Sequence, residues 1–303
     1  MLRHRLITGP LLVLMFLAII VTDNALDTVR LSGFWQTVFQ DRHDLPRGIP
    51  LFVFAILVAA PLAAWELSNI FAAQGIASNR LLTSTAAIAG VVLSYSIPMN
   101  TEVVKGIAIV STGMILVFVA SLLIFSQHRN VQGVVAAAGA VMFAMVYLGL
   151  MMGFLLALRR FYSAWWIVGI VLVTKACDSG AYFTGRAIGR HKLIPWLSPR
   201  KTWEGLVGGL VTSTLAGVLL AWLSSRFLAD RDMVPLAFGA WWGLIFGVAG
   251  VFGDLIKSLL KRGAGIKDSS SILPGLGGVL DVLDSPLMVA PVAYWVVTTM
   301  VPR

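Results

Sequence analysis

Residues 253–285 read GDLIKSLLKRGAGIKDSSSILPGLGGVLDVLDS. Apolar runs flank this stretch, WWGLIFGVAGVF before it and PLMVAPVAYWVV after it. Each run, extended into the stretch, reaches the roughly 20 residues that a helix needs to cross a bilayer. Between them stand Asp254, Lys257, Lys261, Arg262, Lys267, Asp268, Asp281 and Asp284. Ionisable groups are costly at a membrane segment, and where they gather they mark a working site by default. Alternating anionic and cationic side chains suit a phosphate-rich ligand that carries a metal ion.

The rest of the chain has the same character. It has 303 residues, 58% hydrophobic and 12% charged, against roughly 25% charged in soluble domains. The mean hydropathy is +0.87. These values describe an all-α polytopic membrane protein. About nine transmembrane helices are expected, near 6–22, 49–70, 83–98, 106–126, 132–157, 163–183, 205–223, 236–257 and 280–301, the third of them short. The basic N-terminus followed by an apolar run reads as an uncleaved signal anchor. With nine spans, Lys and Arg divide 13 to 9 in favour of the N-terminal side, with Lys175 inside a span. The positive-inside rule then places the N-terminus in the cytoplasm. The net charge of +9 points to anionic headgroups and cytoplasmic loops, with no nucleic acid as partner. The one cysteine, Cys177, excludes an intrachain disulfide and reads as packing. Trp165, Trp166, Trp241 and Trp242 read as interfacial anchors. Residues 1–160 form an N-terminal set of helices. Residues 161–303 carry the site, with two cytoplasmic loops at 184–204 and 258–279.

Two constellations carry chemistry. The first runs from Asp178 to Gly205, DSGAYFTGRAIGRHKLIPWLSPRKTWEG. Ser198 or Thr202 is placed to cap the next helix, whose N-terminus would attract phosphate, with Arg200 and Lys201 adding charge. The second is the opening stretch. Asp281 and Asp284 stand at i and i+3 and share one helix face. Asp254 would meet them across a helix pair. Three carboxylates at one level need cations, and hard oxygen donors suit Mg²⁺. Lys257 lies on the face of Asp254, while Lys261, Arg262 and Lys267 are suited to phosphate oxygens. Structural alternatives stand beside these readings: ion pairs that fix helix packing, Lys175 paired to Asp178, and Glu66 as a helix-packing hydrogen bond. Gly205, Gly208 and Gly209 suit either tight helix packing or a homodimer.

The same motifs resemble the phosphatidate cytidylyltransferases, the CDP-diacylglycerol synthases. Their S-x-x-K-R-x4-K-D segment corresponds to Ser258, Lys261, Arg262, Lys267 and Asp268. Their P-G-H-G-G corresponds to Pro274–Gly278, and D-R-x-D-S to Asp281–Ser285. S-P-K-K-T-x-E-G appears as Ser198–Gly205, with Arg200 for the first Lys. D-x-x-A-Y-x-x-G-R matches Asp178, Ala181, Tyr182, Gly185 and Arg186. Leu276 and Val282 stand where the family has His and Arg.

The resemblance implies CTP and phosphatidic acid as substrates and CDP-diacylglycerol and pyrophosphate as products. It also implies Mg²⁺ dependence, with a second cation as an option, at a bacterial inner membrane. The expected metal ligands are Asp254, Asp281 and Asp284. Lys257 and Lys267 complete the catalytic set. Ser198, Lys201, Thr202, Lys261, Arg262, Asp178 and Asp268 bind substrate or orient those that do. The alternatives are a cation-coupled transporter, a CTP-dependent lipid-alcohol kinase, and a variant or inactive paralogue, the last because of Leu276 and Val282. A CDP-alcohol phosphotransferase is set aside because its D-G-x2-A-R-x8-G-x3-D-x3-D pattern is missing.

Overall fold

The computed structural model describes residues 2–30, 46–98, 101–127, 131–227, 233–266, 270, 272–275 and 277–301, and side chains from residue 7 onward. Lys267, Asp268 and Leu276 lie outside the described residues. So do Asp41, Arg42, Asp44, Arg129, Asp230, Arg231, Asp232 and Arg303, and the side chains of Arg3 and Arg5.

The described chain folds into helical rods joined by short connections. They are α1 (Leu2–Ala25), α2 (Ile49–Ala73), α3 (Arg80–Ser96), α4 (Val103–Ser126), α5 (Val134–Phe161), α6 (Trp165–Ile188), α7 (Trp203–Phe227), α8 (Leu236–Gly263) and α9 (Val279–Met300). Among the described residues eight spans are long and apolar enough to cross a membrane; α3, with 17 residues, is shorter. The protein is an integral membrane protein with an all-α frame. A small antiparallel hairpin, β1 (Lys192–Ile194) and β2 (Ser198–Thr202), interrupts that frame between α6 and α7. The loops are shorter than the sequence suggests, because α6 runs on to Ile188 and α8 to Gly263.

Local chemistry sets several helix ends and irregularities. Asn79 caps α3, its Oδ1 accepting from Leu81 N (2.9 Å) and Leu82 N (3.1 Å). A π-helical segment at Ala55–Ala59 precedes Pro61 in α2. Proline has no N–H to give and its ring crowds the carbonyl four residues earlier, so the turn widens. A second π segment, Met145–Leu150, lies within α5. Small residues bring α6 and α7 together: a Cβ on Gly205 would lie 2.8 Å from Ala181 O, and one on Gly209 2.9 Å from Cys177 O. The Gly205–Gly209 face is therefore spent on packing within the chain. Cys177 is buried there, as packing requires.

The main apolar cluster joins Ile20, Leu67, Val91 and Leu148 to Ile167, Leu280 and Leu287. The two halves of the chain thus share one core. Trp165 and Trp241 are exposed. Trp166 and Trp242 depart from their reading as interfacial anchors. They are buried, with ring centroids 5.0 Å apart, and serve as core where α6 meets α8.

One end of the bundle is locked by a buried guanidinium. Arg159 in α5 is fully buried and pairs with Asp23 through Nε. Its other nitrogens donate to Asp27 Oδ1 (2.6 Å), Tyr162 O (3.0 Å) and Asp23 O (3.1 Å). Leu51 N also donates to Asp23 (3.4 Å), and Tyr162 Oη donates to Val301 O (2.9 Å). The ends of α1, α5 and α9 therefore share one side, and their starts share the other. Removing one partner of a buried pair strands the other charge, at about 3–5 kcal/mol. Arg159→Ala is accordingly expected to lower the unfolding midpoint sharply in detergent. Thermal unfolding followed by tryptophan fluorescence checks this.

Candidate active site

The site lies at the end of the bundle opposite Arg159, where α9 begins. Asp281 and Asp284 project from the first two turns of α9 on one face, as their spacing requires. Asp254 and Lys257 stand one turn apart on α8, with Lys261 a turn further on. Close approach of α8 and α9 depends on Gly253, where a Cβ would lie 2.6 Å from Asp284 O and 3.0 Å from Ser285 Cα. Any larger residue there would push the two carboxylate-bearing helices apart.

The three carboxylates do come together, and they do so around a lysine. Lys257 Nζ lies 2.9 Å from Asp254 Oδ1 and 3.7 Å from Asp281 Oδ1, and forms a close pair with Asp284 Oδ2. Lys261 Nζ lies 2.5 Å from Asp281 Oδ1. Lys201 Nζ, from β2, lies 2.8 Å from Asp254 Oδ2. Three carboxylates thus face three ammonium groups, in the balance that burial of charge demands. The cations that the three carboxylates need are supplied within the chain by these lysines. Asp284 is 2% exposed, and its Oδ1 also accepts from Ser285 N (2.7 Å). Among the described residues no three such side chains stand close enough to ligate one ion together; Lys257 Nζ lies against all three instead. Their donor chemistry is still that of a hard divalent cation.

The basic loop of the first constellation reaches the same place. Thr202 ends β2 and caps α7, its Oγ1 accepting from Gly205 N (3.1 Å). Ser198 opens β2 opposite Ile194. Arg262 Nε donates to Leu197 O (3.4 Å), so α8 holds the hairpin against the site. His191 Nδ1 lies 2.6 Å from Glu204 Oε1 and fixes the other edge of the hairpin. Lys175 and Asp178 pair at 3.1 Å on α6. Between α6, the hairpin and α8 lies a cavity of about 310 Å³, lined by Asp178, Tyr182, Arg200, Lys201, Thr202 and Asp254 among others. β2 supplies two cations to its lining, and α6 and α8 supply one carboxylate each.

Two further residues belong to this neighbourhood. Glu66, from α2, is fully buried beside the start of α9. It accepts from Val279 N (2.8 Å), Leu280 N (2.9 Å) and Ser270 Oγ (2.6 Å), which bears out its reading as a hydrogen-bonding group. Tyr147 sits in the π segment of α5 and lies within electrostatic reach of Asp284, Lys257 and Asp254. Its hydroxyl is buried with no hydrogen-bond partner among the described residues. A tyrosine in an apolar span, MFAMVYLGL, carries no sequence signal for that placement.

The fold and this cluster define an integral membrane protein whose charged site sits at one end of a helical bundle. The chain belongs to the Cytidylyltransferase family, whose profile matches residues 46–300. Among curated proteins it is 34% identical over 180 residues to a phosphatidate cytidylyltransferase of Chlamydia muridarum, covering 57% of this chain and 58% of that one. It is 36% identical over 159 residues to the Bacillus subtilis phosphatidate cytidylyltransferase, covering 52% and 57%. It is 39% identical over 136 residues to that of Haemophilus influenzae, covering 43% and 45%. The chain spans about half the length of the curated relatives it matches.

Proposed function

We propose that the protein transfers a cytidylyl group from CTP to phosphatidic acid, giving CDP-diacylglycerol and pyrophosphate. The observation that carries this reading is the meeting of the basic hairpin with the carboxylate–lysine cluster. Lys201 and Asp254 join the two beside a polar cavity, in a chain of the cytidylyltransferase family. The phosphomonoester of phosphatidate is already an anionic nucleophile and needs no serine or cysteine. One of its oxygens attacks the α-phosphorus of CTP. The bond from that phosphorus to the bridging oxygen breaks, and the electron pair leaves with pyrophosphate.

The main obstacle is bringing two polyanions together, and fixed cations lower it by screening and alignment. Arg200 and Lys201, which line the cavity, receive nucleotide phosphates. Lys257 and Lys261 hold the carboxylates in place, and offer their charge to the leaving pyrophosphate. Asp254, Asp281 and Asp284 are the residues that would hold Mg²⁺. Bound there, it would supply further charge stabilisation at the phosphoryl oxygens. The N-terminal side, and with it the site, faces the cytoplasm of a bacterial inner membrane, where CTP is dissolved. The lipid arrives sideways from the inner leaflet.

The test is an assay of membranes holding the protein with labelled CTP and phosphatidate, with and without Mg²⁺. Labelled CDP-diacylglycerol that disappears on chelation is expected. A phosphorylated alcohol instead would identify a lipid kinase. Solute uptake without CTP turnover would identify a carrier.

A further inference from the structure

We propose that Glu66 is a positioning residue for the transfer reaction: its carboxylate caps α9 and so sets the placement of Asp281 and Asp284. The reaction itself rests on the reading above. The first N–H groups of any helix lack intrahelical partners. At α9 the N-cap is Gly278, which has no side chain to offer them. Asp281 reaches back one turn, its Oδ2 accepting from Gly278 N (3.0 Å). The next two amides, Val279 N and Leu280 N, are taken one each by Glu66 Oε1 and Oε2. The cap is therefore supplied from a helix more than 200 residues earlier in the chain.

Two independent features show that this place is built for the carboxylate. A Cβ on Gly278 would lie 2.5 Å from Glu66 Cδ, which is overlap. The φ of Gly278 is −103°, open to any residue, so it is the carboxylate and not the backbone that excludes a side chain. Ser270, from the connection between α8 and α9, donates to Glu66 Oε1 as well (2.6 Å). One buried anion thus ties α2, the connection and the first turn of α9 together. Negative charge is also favoured at a helix N-terminus. Leu280 immediately precedes Asp281, and Asp284 follows within one turn. A shift of the first turn is therefore a shift of both carboxylates, and misplacement by about 1 Å can cost about 10²-fold in rate. With its amides occupied, the start of α9 is not a phosphate seat. Substrate phosphates are left to the lysines and the hairpin.

The test uses the full chain in nanodiscs, with Glu66→Gln and Gly278→Ala. Steady-state rates give kcat and KM for CTP. Hydrogen exchange reads the amides of 278–281. Glu66→Gln keeps the shape but turns one acceptor into a donor facing an amide. It is expected to lower kcat about 10–100-fold, the usual scale for loss of a supporting contact behind a catalytic ligand. KM for CTP should stay within about threefold, since the lost contact is not to substrate. Exchange at Val279 and Leu280 should accelerate. Gly278→Ala should reproduce both effects, and it decides the matter should Glu66→Gln fail to fold. Unchanged kcat, or unchanged protection of 278–281, overturns the proposal. So does a lower KM for CTP at constant kcat, which would make Glu66 a competitor for phosphate. A wild-type protein that forms no CDP-diacylglycerol sinks the proposed reaction instead, and the exchange data still decide the cap.

Discussion

Protein carrying Asp281→Asn is expected to insert and fold but to lose CDP-diacylglycerol formation by about 10²–10³-fold, the scale for removing one preorganised electrostatic group. Asp281 has three tasks in the structure. Its Oδ1 holds Lys261 (2.5 Å) and faces Lys257 (3.7 Å), and its Oδ2 accepts from the N-cap amide of α9. Asparagine keeps a carbonyl oxygen for one of these and gives up the charge. The cluster of three carboxylates and three lysines then carries an unbalanced positive charge, and a divalent cation loses one of its expected ligands. The residue is only partly buried and an acceptor remains, so the fold should survive. Initial rates with labelled CTP and phosphatidate, normalised to folded protein, check the outcome. CTP- and Mg²⁺-dependent turnover within about tenfold of wild type would remove Asp281 from the machinery.

That such a residue is nameable from sequence reflects how much helical spacing decides. A three-residue step places Asp281 and Asp284 on one face of whatever helix contains them, and likewise Asp254 and Lys257. Long apolar runs located most of the rods for the same reason. What spacing does not convey is which face meets which. Lys257 is assigned to Asp254 by its own helix. Its contact with Asp284 exists only because Gly253 lets α8 lie against α9. The carboxylates were thus legible as a group, and the ammonium at their centre was not. Glu66 was visible as a costly charge in an apolar run, but its targets lie in another helix, and Gly278 gives no capping signal of its own. Arg159 entered only the count of basic residues, and Asp23 and Asp27 gave no signal of their own, because nothing in a sequence distinguishes a charge at a helix end from one locked inside the bundle. The hairpin escaped notice because KLIPWLSPRKT shows no two-residue alternation, and prolines stand at 195 and 199. Trp166 and Trp242 were misplaced because an indole near a helix end fits an interface and a core equally well.

The centre of the cluster sets up the second large effect. Lys257→Met preserves length and removes the ammonium. Asp254 keeps Lys201 and Asp281 keeps Lys261, while Asp284, 2% exposed, loses its close cationic partner. Breaking a buried pair from one side costs about 3–5 kcal/mol, because the remaining charge is left uncompensated. A marked fall in the unfolding midpoint is expected, together with loss of activity. Adding Asp284→Asn to Lys257→Met removes the stranded charge and should restore much of the midpoint, since residues in direct contact couple by about 0.5–3 kcal/mol. Turnover is not expected to return with stability. The double variant lacks both the ammonium offered to the phosphates of CTP and one of the three carboxylates expected to hold Mg²⁺, so it should be stable and inactive. A Lys257→Met protein as stable as wild type would mean that Asp284 is not held as an ion against Lys257. The charge balance drawn for the cluster would then be wrong at its centre.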